Sequence, residues 1–200
     1  MKKYPVITIS REYGSGGHEV AELLAKKLEI PLYDNELIIE AAKESGYSEE
    51  AFEDAEQSWS TILGFRFDTM SEYGVYEMPL QDKLYLIQSM TMKKIAKRGP
   101  AVIVGRCSDH VLKGVVPTIN IFIQSDSEHR IKRIMERTEL NYEKAESKMK
   151  RMDKCRASYY KMNTDQKWGD RKNYDLIINS AWGTEKTAEL LAAFVEAYSE

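Results

Sequence analysis

Val6-Ile7-Thr8-Ile9-Ser10 runs through Arg11-Glu12-Tyr13 into Gly14-Ser15-Gly16-Gly17, and then into His18-Glu19-Val20. The first five residues are short, β-branched and nearly continuously apolar, as in a parallel strand covered on both faces. Beyond the glycines, Val20, Leu23, Leu24 and Leu28 fall at helical spacing. The order is therefore strand, glycine loop, helix. Glycines at such a junction let backbone N–H groups turn inward, and the helix N-terminus adds partial positive charge, which together suit a phosphate.

The same alternation continues outward. Ile30-Pro31-Leu32-Tyr33-Asp34 reads as a short second strand, Ala101-Val102-Ile103-Val104-Gly105 as a third, Thr118–Ile123 as a fourth and Tyr174–Asn179 as a fifth. Between them lie a long helix marked by Leu80, Leu84, Ile87 and Ile95 and stopped by Gly99-Pro100, a helix from Glu128 to Arg137, and a charged helix from about Asn141 to Met162. A last amphipathic helix is expected from a Thr184 cap. Strands separated by helices make βαβ units, and right-handed crossovers put helices on both faces of a parallel sheet. Two hundred residues suit one domain, 1–200, with residues 35–78 read as an acceptor-side insertion and 130–172 as a lid.

Composition excludes several classes. Hydrophobic residues at 42% and charged residues at 30% are ordinary for a water-soluble domain. Cys107 and Cys155 lack metal or disulfide spacing, so a reducing cytoplasmic setting is expected. The N-terminus has no long apolar region of a signal peptide, and no stretch approaches the ~18 apolar residues of a membrane span. The net charge is -3, but residues 130–172 hold fourteen basic and seven acidic side chains, whereas 36–82 hold twelve acidic and two basic. The basic segment is either a polyanion site or a pair of solvated helices. A sequence pI of 5.8 argues against nucleic acid as the partner.

Set against the phosphate-loop pattern G-x-x-x-x-G-K-[ST], with Gly16 as the second glycine, Arg11 stands at the first glycine, Gly17 at the lysine and His18 at the hydroxyl residue. Tyr13, Gly14, Ser15, Gly16, Gly17, His18 and Glu19 are the candidate phosphate-binding residues. His18 either contacts a phosphate or starts the helix, and Glu19 either approaches a metal or complements the helix dipole. Arg106 and Asp109 leave the C-terminal end of the third strand, the edge where open α/β sheets bind ligands, and Asp34 ends the second strand there. Arg106 presents a planar charged fork suited to phosphate or pairs with Asp109; Asp34 either meets a substrate or caps a helix. Arg130, Arg133 and Arg137 share one helical face, and Arg151, Asp153 and Arg156 follow on the next helix. Phosphoryl transfer is stabilised by such arginines on a closing lid.

Taken together, Ile9–Gly17, Ile103-Val104-Gly105-Arg106, Arg133–Arg137, Asp153-x-x-Arg156-Ala157-x-Tyr159-Tyr160 and Asn173–Leu176 resemble the cytidylate-kinase-like branch of the nucleoside monophosphate kinases. The resemblance implies a three-layer P-loop kinase fold with a five-stranded parallel sheet and a helical, arginine-rich lid. It also implies transfer of the ATP γ-phosphoryl group, with Mg²⁺, to a nucleoside monophosphate such as CMP. In that reading Arg11, Arg130, Arg137, Arg151 and Arg156 are catalytic, Asp34, Arg106 and Asp109 hold the acceptor, Arg133 and Asp153 belong to the lid, and metal ligands are unassigned. The chain departs from the branch in its missing loop lysine and in Met149-Lys150, where the lid motif begins Arg-Asp. The other readings are a non-catalytic nucleotide- or anion-binding module, and a kinase for a non-nucleotide small molecule.

Overall fold

A computed structural model describes residues 4–34 and 80–199. Five strands form one parallel sheet: β1 (Val6–Arg11), β2 (Leu32–Tyr33), β3 (Val102–Val104), β4 (Thr118–Gln124) and β5 (Leu176–Asn179), in the order β2-β3-β1-β4-β5. Register is set by pairs such as Ile9 with Val104 on one side and Ile9 with Ile121 on the other. β1 is central, and the chain crosses over it between β3 and β4. Its C-terminal end is thus a topological switch point, where the crossovers diverge and leave a crevice.

Helix α1 (Gly17–Leu28) and α6 (Thr184–Tyr198) cover one face of the sheet. There Ile7, Ile9, Ile119, Ile121 and Ile123 pack with Val20, Leu24, Leu191 and Val195. Helix α2 (Leu80–Arg98) and the single turn α3 (Ser108–Val111) cover the other, joining Val6 and Ile103 to Met92, Ile95 and Leu112. The three expected layers are present. Alternate residues of β1 serve the two faces, as strand geometry requires. On the α2 side they run Val6, Thr8, Ser10, so the strand becomes polar as it approaches its carboxyl end.

Helices α4 (Ser127–Thr138) and α5 (Tyr142–Thr164) make a hairpin with its own apolar seam of Ile131, Ile134, Ala145 and Met149. Each has a side-chain cap: Asp126 accepts from the His129 amide at 2.9 Å, and Asn141 from the Lys144 amide at 3.1 Å. The expected Thr184 cap is replaced. Gly183 is the N-cap, Thr184 is the first helical residue, and its hydroxyl instead donates to Glu19 at 2.7 Å. The segment 35–78, read as an acceptor-side insertion, lies outside the described residues. No helix among the described residues is long and apolar enough to cross a membrane.

Candidate functional site: a glycine loop ringed by arginines

The loop after β1 is held by its own backbone. Ser15 N–H and Oγ both donate to Glu12 O, at 3.3 and 2.9 Å, and Gly17 N–H donates to Ser15 Oγ at 3.3 Å. Gly14 and Gly16 have φ of 83° and 76°, which L side chains adopt at a cost of about 1–2 kcal/mol each. Space forbids side chains as well. A Cβ on Gly14 would lie 2.8 Å from Arg130 O, and one on Gly16 2.8 Å from Thr184 Cγ2. Unlike α4 and α5, α1 has a glycine at its N-cap and so no capping side chain, and its N-terminus opens on the loop. Gly16→Val is therefore expected to distort the loop and abolish anion binding, read as loss of the ATP heat in isothermal titration.

Arg130 organises the loop from beneath. It is 5% exposed. Its Nε donates to Tyr13 O at 2.7 Å, one terminal nitrogen pairs with Glu12 at 3.2 Å, and the other with Asp153. Asp153 also accepts the Tyr13 amide at 2.8 Å, and Glu12 accepts the Ser125 amide at 3.1 Å. Both polar groups of the Tyr13 peptide backbone are thus taken by the α4–α5 hairpin. Burial raises the Glu12 pKa above its ordinary value, with the Ser125 amide and Arg130 opposing. A carboxyl raised in the folded state binds protons more readily there than when unfolded. Its contribution is full below the ordinary value of 4.5 and is lost as pH rises through the higher folded value. Glu12→Gln should flatten that segment of the stability–pH curve, measured by urea melts.

Above the loop, Arg133 and Arg137 both pair with Glu19. The Thr184 hydroxyl, and then the two guanidinium groups, hold Glu19 below the usual carboxylate range. Arg133, Arg137, Arg11 and Arg156 line a cavity of about 160 Å³ with Tyr13, Gly14, Gly16, Gly17 and His18. Arg156 donates to Arg11 O at 2.8 Å and lies over the Tyr13 ring, 5.5 Å from its centroid. The hairpin is therefore closed onto the loop.

A second cavity, about 210 Å³, opens at the end of β3. Its walls include Ser10, Arg106, Cys107, Tyr159, Tyr160 and Trp168, and again Arg11 and Arg156. Arg106 lies 5.5 Å from the Tyr159 ring centroid. Gly105, Arg106 and Cys107 have successive φ values of 75°, 56° and 56°. Two consecutive non-glycine residues in this region are strained, and such strain concentrates at binding sites. Burial pushes the Cys107 thiol up to about 12, so it is no nucleophile.

Arg11 spans both cavities. Its pKa falls to about 9, first through burial, then through Arg156 and Arg106, with Asp34 pulling the other way. It remains charged at neutral pH among like charges, a setting that an anion would relieve. Asp34 ends β2 on this edge, with an oxygen 3.8 Å from His18 Nε2; His18 also meets Glu22 at 3.3 Å.

Other candidate residues lie elsewhere. Asp109 is buried and accepts the Tyr160 hydroxyl at 2.5 Å, and burial raises its pKa. Arg151 is exposed on α5 and lines neither cavity. Among the described residues no group of three or more His, Cys, Asp or Glu could hold a metal. Trp182 escaped the sequence reading. It is 62% exposed in the turn between β5 and α6, and that turn is tied to the loop by Ser180 Oγ donating to Ser15 O at 2.6 Å. Its position just after the last strand, on the ligand-binding edge, was the available signal.

A parallel sheet between two helical layers, a glycine loop at its switch point and a basic helical hairpin over that loop define the P-loop kinase fold. The chain belongs to the cytidylate kinase-like family, whose model matches residues 6–181. It is 37% identical over 95 residues to the cytidylate kinase of Methanococcus aeolicus, covering 46% of this chain and 53% of that one. It is 29% identical over 114 residues to the cytidylate kinase of Methanothrix thermoacetophila, covering 56% and 64%. The chain thus spans between half and two thirds of the length of these curated relatives. A crystal structure of an uncharacterized protein from Eubacterium ventriosum superposes with a TM-score of 0.75 at 31% identity, over 98% of this chain and 99% of that one. Shikimate kinase from Bacteroides thetaiotaomicron shares the fold, with a TM-score of 0.56 at 13% identity over 96% and 98%.

Proposed function

We propose that the protein is an ATP-dependent phosphotransferase whose acceptor is a nucleoside monophosphate, with CMP the first to test. The observation that carries this reading is the meeting of two cavities at Arg11 and Arg156. The loop cavity suits the donor phosphates: a glycine-lined backbone, a helix N-terminus and Arg133 and Arg137 converge on it. The β3-edge cavity suits an acceptor with its own anion, which Arg106 would engage as a bidentate fork. Tyr159 and Trp168 supply flat walls for a base, and the exposed Trp182 beside the loop supplies another for the donor.

Transfer then requires little covalent chemistry from the protein. The moving phosphoryl group spreads charge over its equatorial oxygens, and preorganised cations at the junction stabilise it. Arg11 and Arg156 are held there by the strand and by α5. Arg133 and Arg137, paired with Glu19 in this closed form, exchange that carboxylate for phosphate oxygens. Closure of the hairpin excludes water. Arg130 acts one step back, holding Tyr13 in place. Mg²⁺ usually takes one or two carboxylates together with substrate phosphates. Asp34, which ends β2 on this edge with an oxygen 3.8 Å from His18, would approach such an ion, and the ion would neutralise phosphate charge.

The test is ATP consumption with Mg²⁺ against a panel of nucleoside monophosphates and small metabolites. Turnover with a nucleoside monophosphate, CMP above all, is expected. Turnover only with a non-nucleotide metabolite would replace the acceptor assignment. Binding of ATP with no transfer to any acceptor would replace it with a nucleotide-binding module.

A further inference from the structure

The missing loop lysine and the arginine at the head of the loop are one feature. The phosphate-loop pattern places glycine at 11 and a cationic side chain at 17; this chain carries the reverse. A Cβ on Gly17 would stand 2.5 Å from Arg11 Cβ and 2.9 Å from its Cγ. Arg11 cannot yield there, because its Cβ is fixed by the backbone of β1, which at this residue is paired with Ile123 of β4. The backbone of Gly17 does not ask for glycine. Its φ is not positive, and it is the first residue of α1, where most residue types are accepted. Only the space is missing. At its far end Arg11 meets a second glycine, since a Cβ on Gly105 would collide with Arg11 Nη1. The side chain lies in a slot between Gly17 and Gly105.

We propose that positions 11 and 17 share one volume and carry one cation between them, so that Arg11 is the loop cation of this chain, exchanged with Gly17 and delivered to the junction of the two cavities. This rests on the phosphotransfer reading above. The exchange changes what the cation reaches. A side chain at 17 rises from the first turn of α1 beside the loop alone. Arg11 comes from β1, passes Gly17 and extends over Gly105 to the end of β3, lining both cavities. Its planar fork can engage oxygens on both sides at once, which an ammonium point charge does less well.

The test is a double-mutant cycle with two readouts, thermal melting and phosphoryl transfer from ATP. Gly17→Lys in the wild-type background is expected to lower the melting temperature and reduce transfer. Arg11→Gly alone is expected to melt near wild type and to lose about a hundred- to a thousandfold in transfer. Combined, Arg11→Gly with Gly17→Lys should melt near Arg11→Gly and recover about tenfold or more of the transfer, the expected coupling of residues that touch. Arg11→Ala with Gly17→Lys should recover neither, because alanine keeps the Cβ. Gly17→Ala repeats the melting arm without a new charge: destabilising with Arg11 present, neutral in the Arg11→Gly background. Equal melting penalties in both backgrounds would overturn the shared volume. Coupled melting without recovered transfer, in a wild-type protein that turns over, would overturn the single relocated cation. A wild-type protein that neither binds ATP nor transfers would sink the phosphotransfer reading instead, while the melting arm still decides whether the two positions share one volume.

Discussion

Arg130→Ala is expected to lower stability by about 3–5 kcal/mol, the usual cost of removing one partner from a buried ionic cluster. The substitution leaves Glu12 and Asp153 facing each other without their shared cation, and it removes the donor to Tyr13 O. Urea denaturation should show a lower midpoint with an unchanged slope, since the surface exposed on unfolding is the same. Replacing Arg130, Glu12 and Asp153 together by apolar residues of similar volume should recover much of that loss, because no buried charge is left unpaired. Recovery should be incomplete. Asp153 also accepts the Tyr13 amide, and a buried amide left without an acceptor costs about 1–3 kcal/mol. A single Arg130→Ala variant as stable as wild type would show that the cluster is solvated and does not pin the loop.

Arg11→Ala is expected to reduce phosphoryl transfer by about a hundred- to a thousandfold, or ~3–4 kcal/mol of transition-state stabilisation, with the fold intact. The separation of activity from stability distinguishes it from Arg130. Arg11 is crowded by Arg156 and Arg106, and burial together with these two depresses its pKa to about 9. The folded protein gives up that proton more readily than the unfolded chain does. Stability attributable to Arg11 is therefore lowest at neutral pH and rises as pH increases through about 9. Arg11→Ala should thus melt no lower than wild type at about pH 7. It should also lack the wild-type rise in stability when the two are compared pairwise across about pH 8–10. A variant that loses activity and stability together would assign Arg11 a structural role.

The parts of this protein written in contiguous residues were legible from the chain. Val6 to Leu28 announced strand, loop and helix because backbone preference and apolar period act over a few residues. The other strands followed from the same β-branched runs, and the parallel sheet followed from their alternation with helices. Gly14 to His18 could be placed at the carboxyl edge on topology alone. Charge partners were not legible. Arg130, Arg133 and Arg137 looked equivalent by spacing, yet Arg130 is buried under the loop while the other two meet Glu19 above it. Thr184 looked like a helix cap because caps are local, but its hydroxyl crosses 165 residues of sequence to Glu19. Trp182 was marked only by its place just after the last strand. That Arg11 stands in for the loop lysine could be read from its being the cation of the loop; that it fills the space a side chain at 17 would need came from the packing of Gly17 against Arg11. Local backbone preference and periodicity determined the elements and their order. Which charge meets which, and which cavity an arginine enters, depends on burial and separations of a few ångströms between segments far apart in the chain, and only the packed tertiary structure decided those.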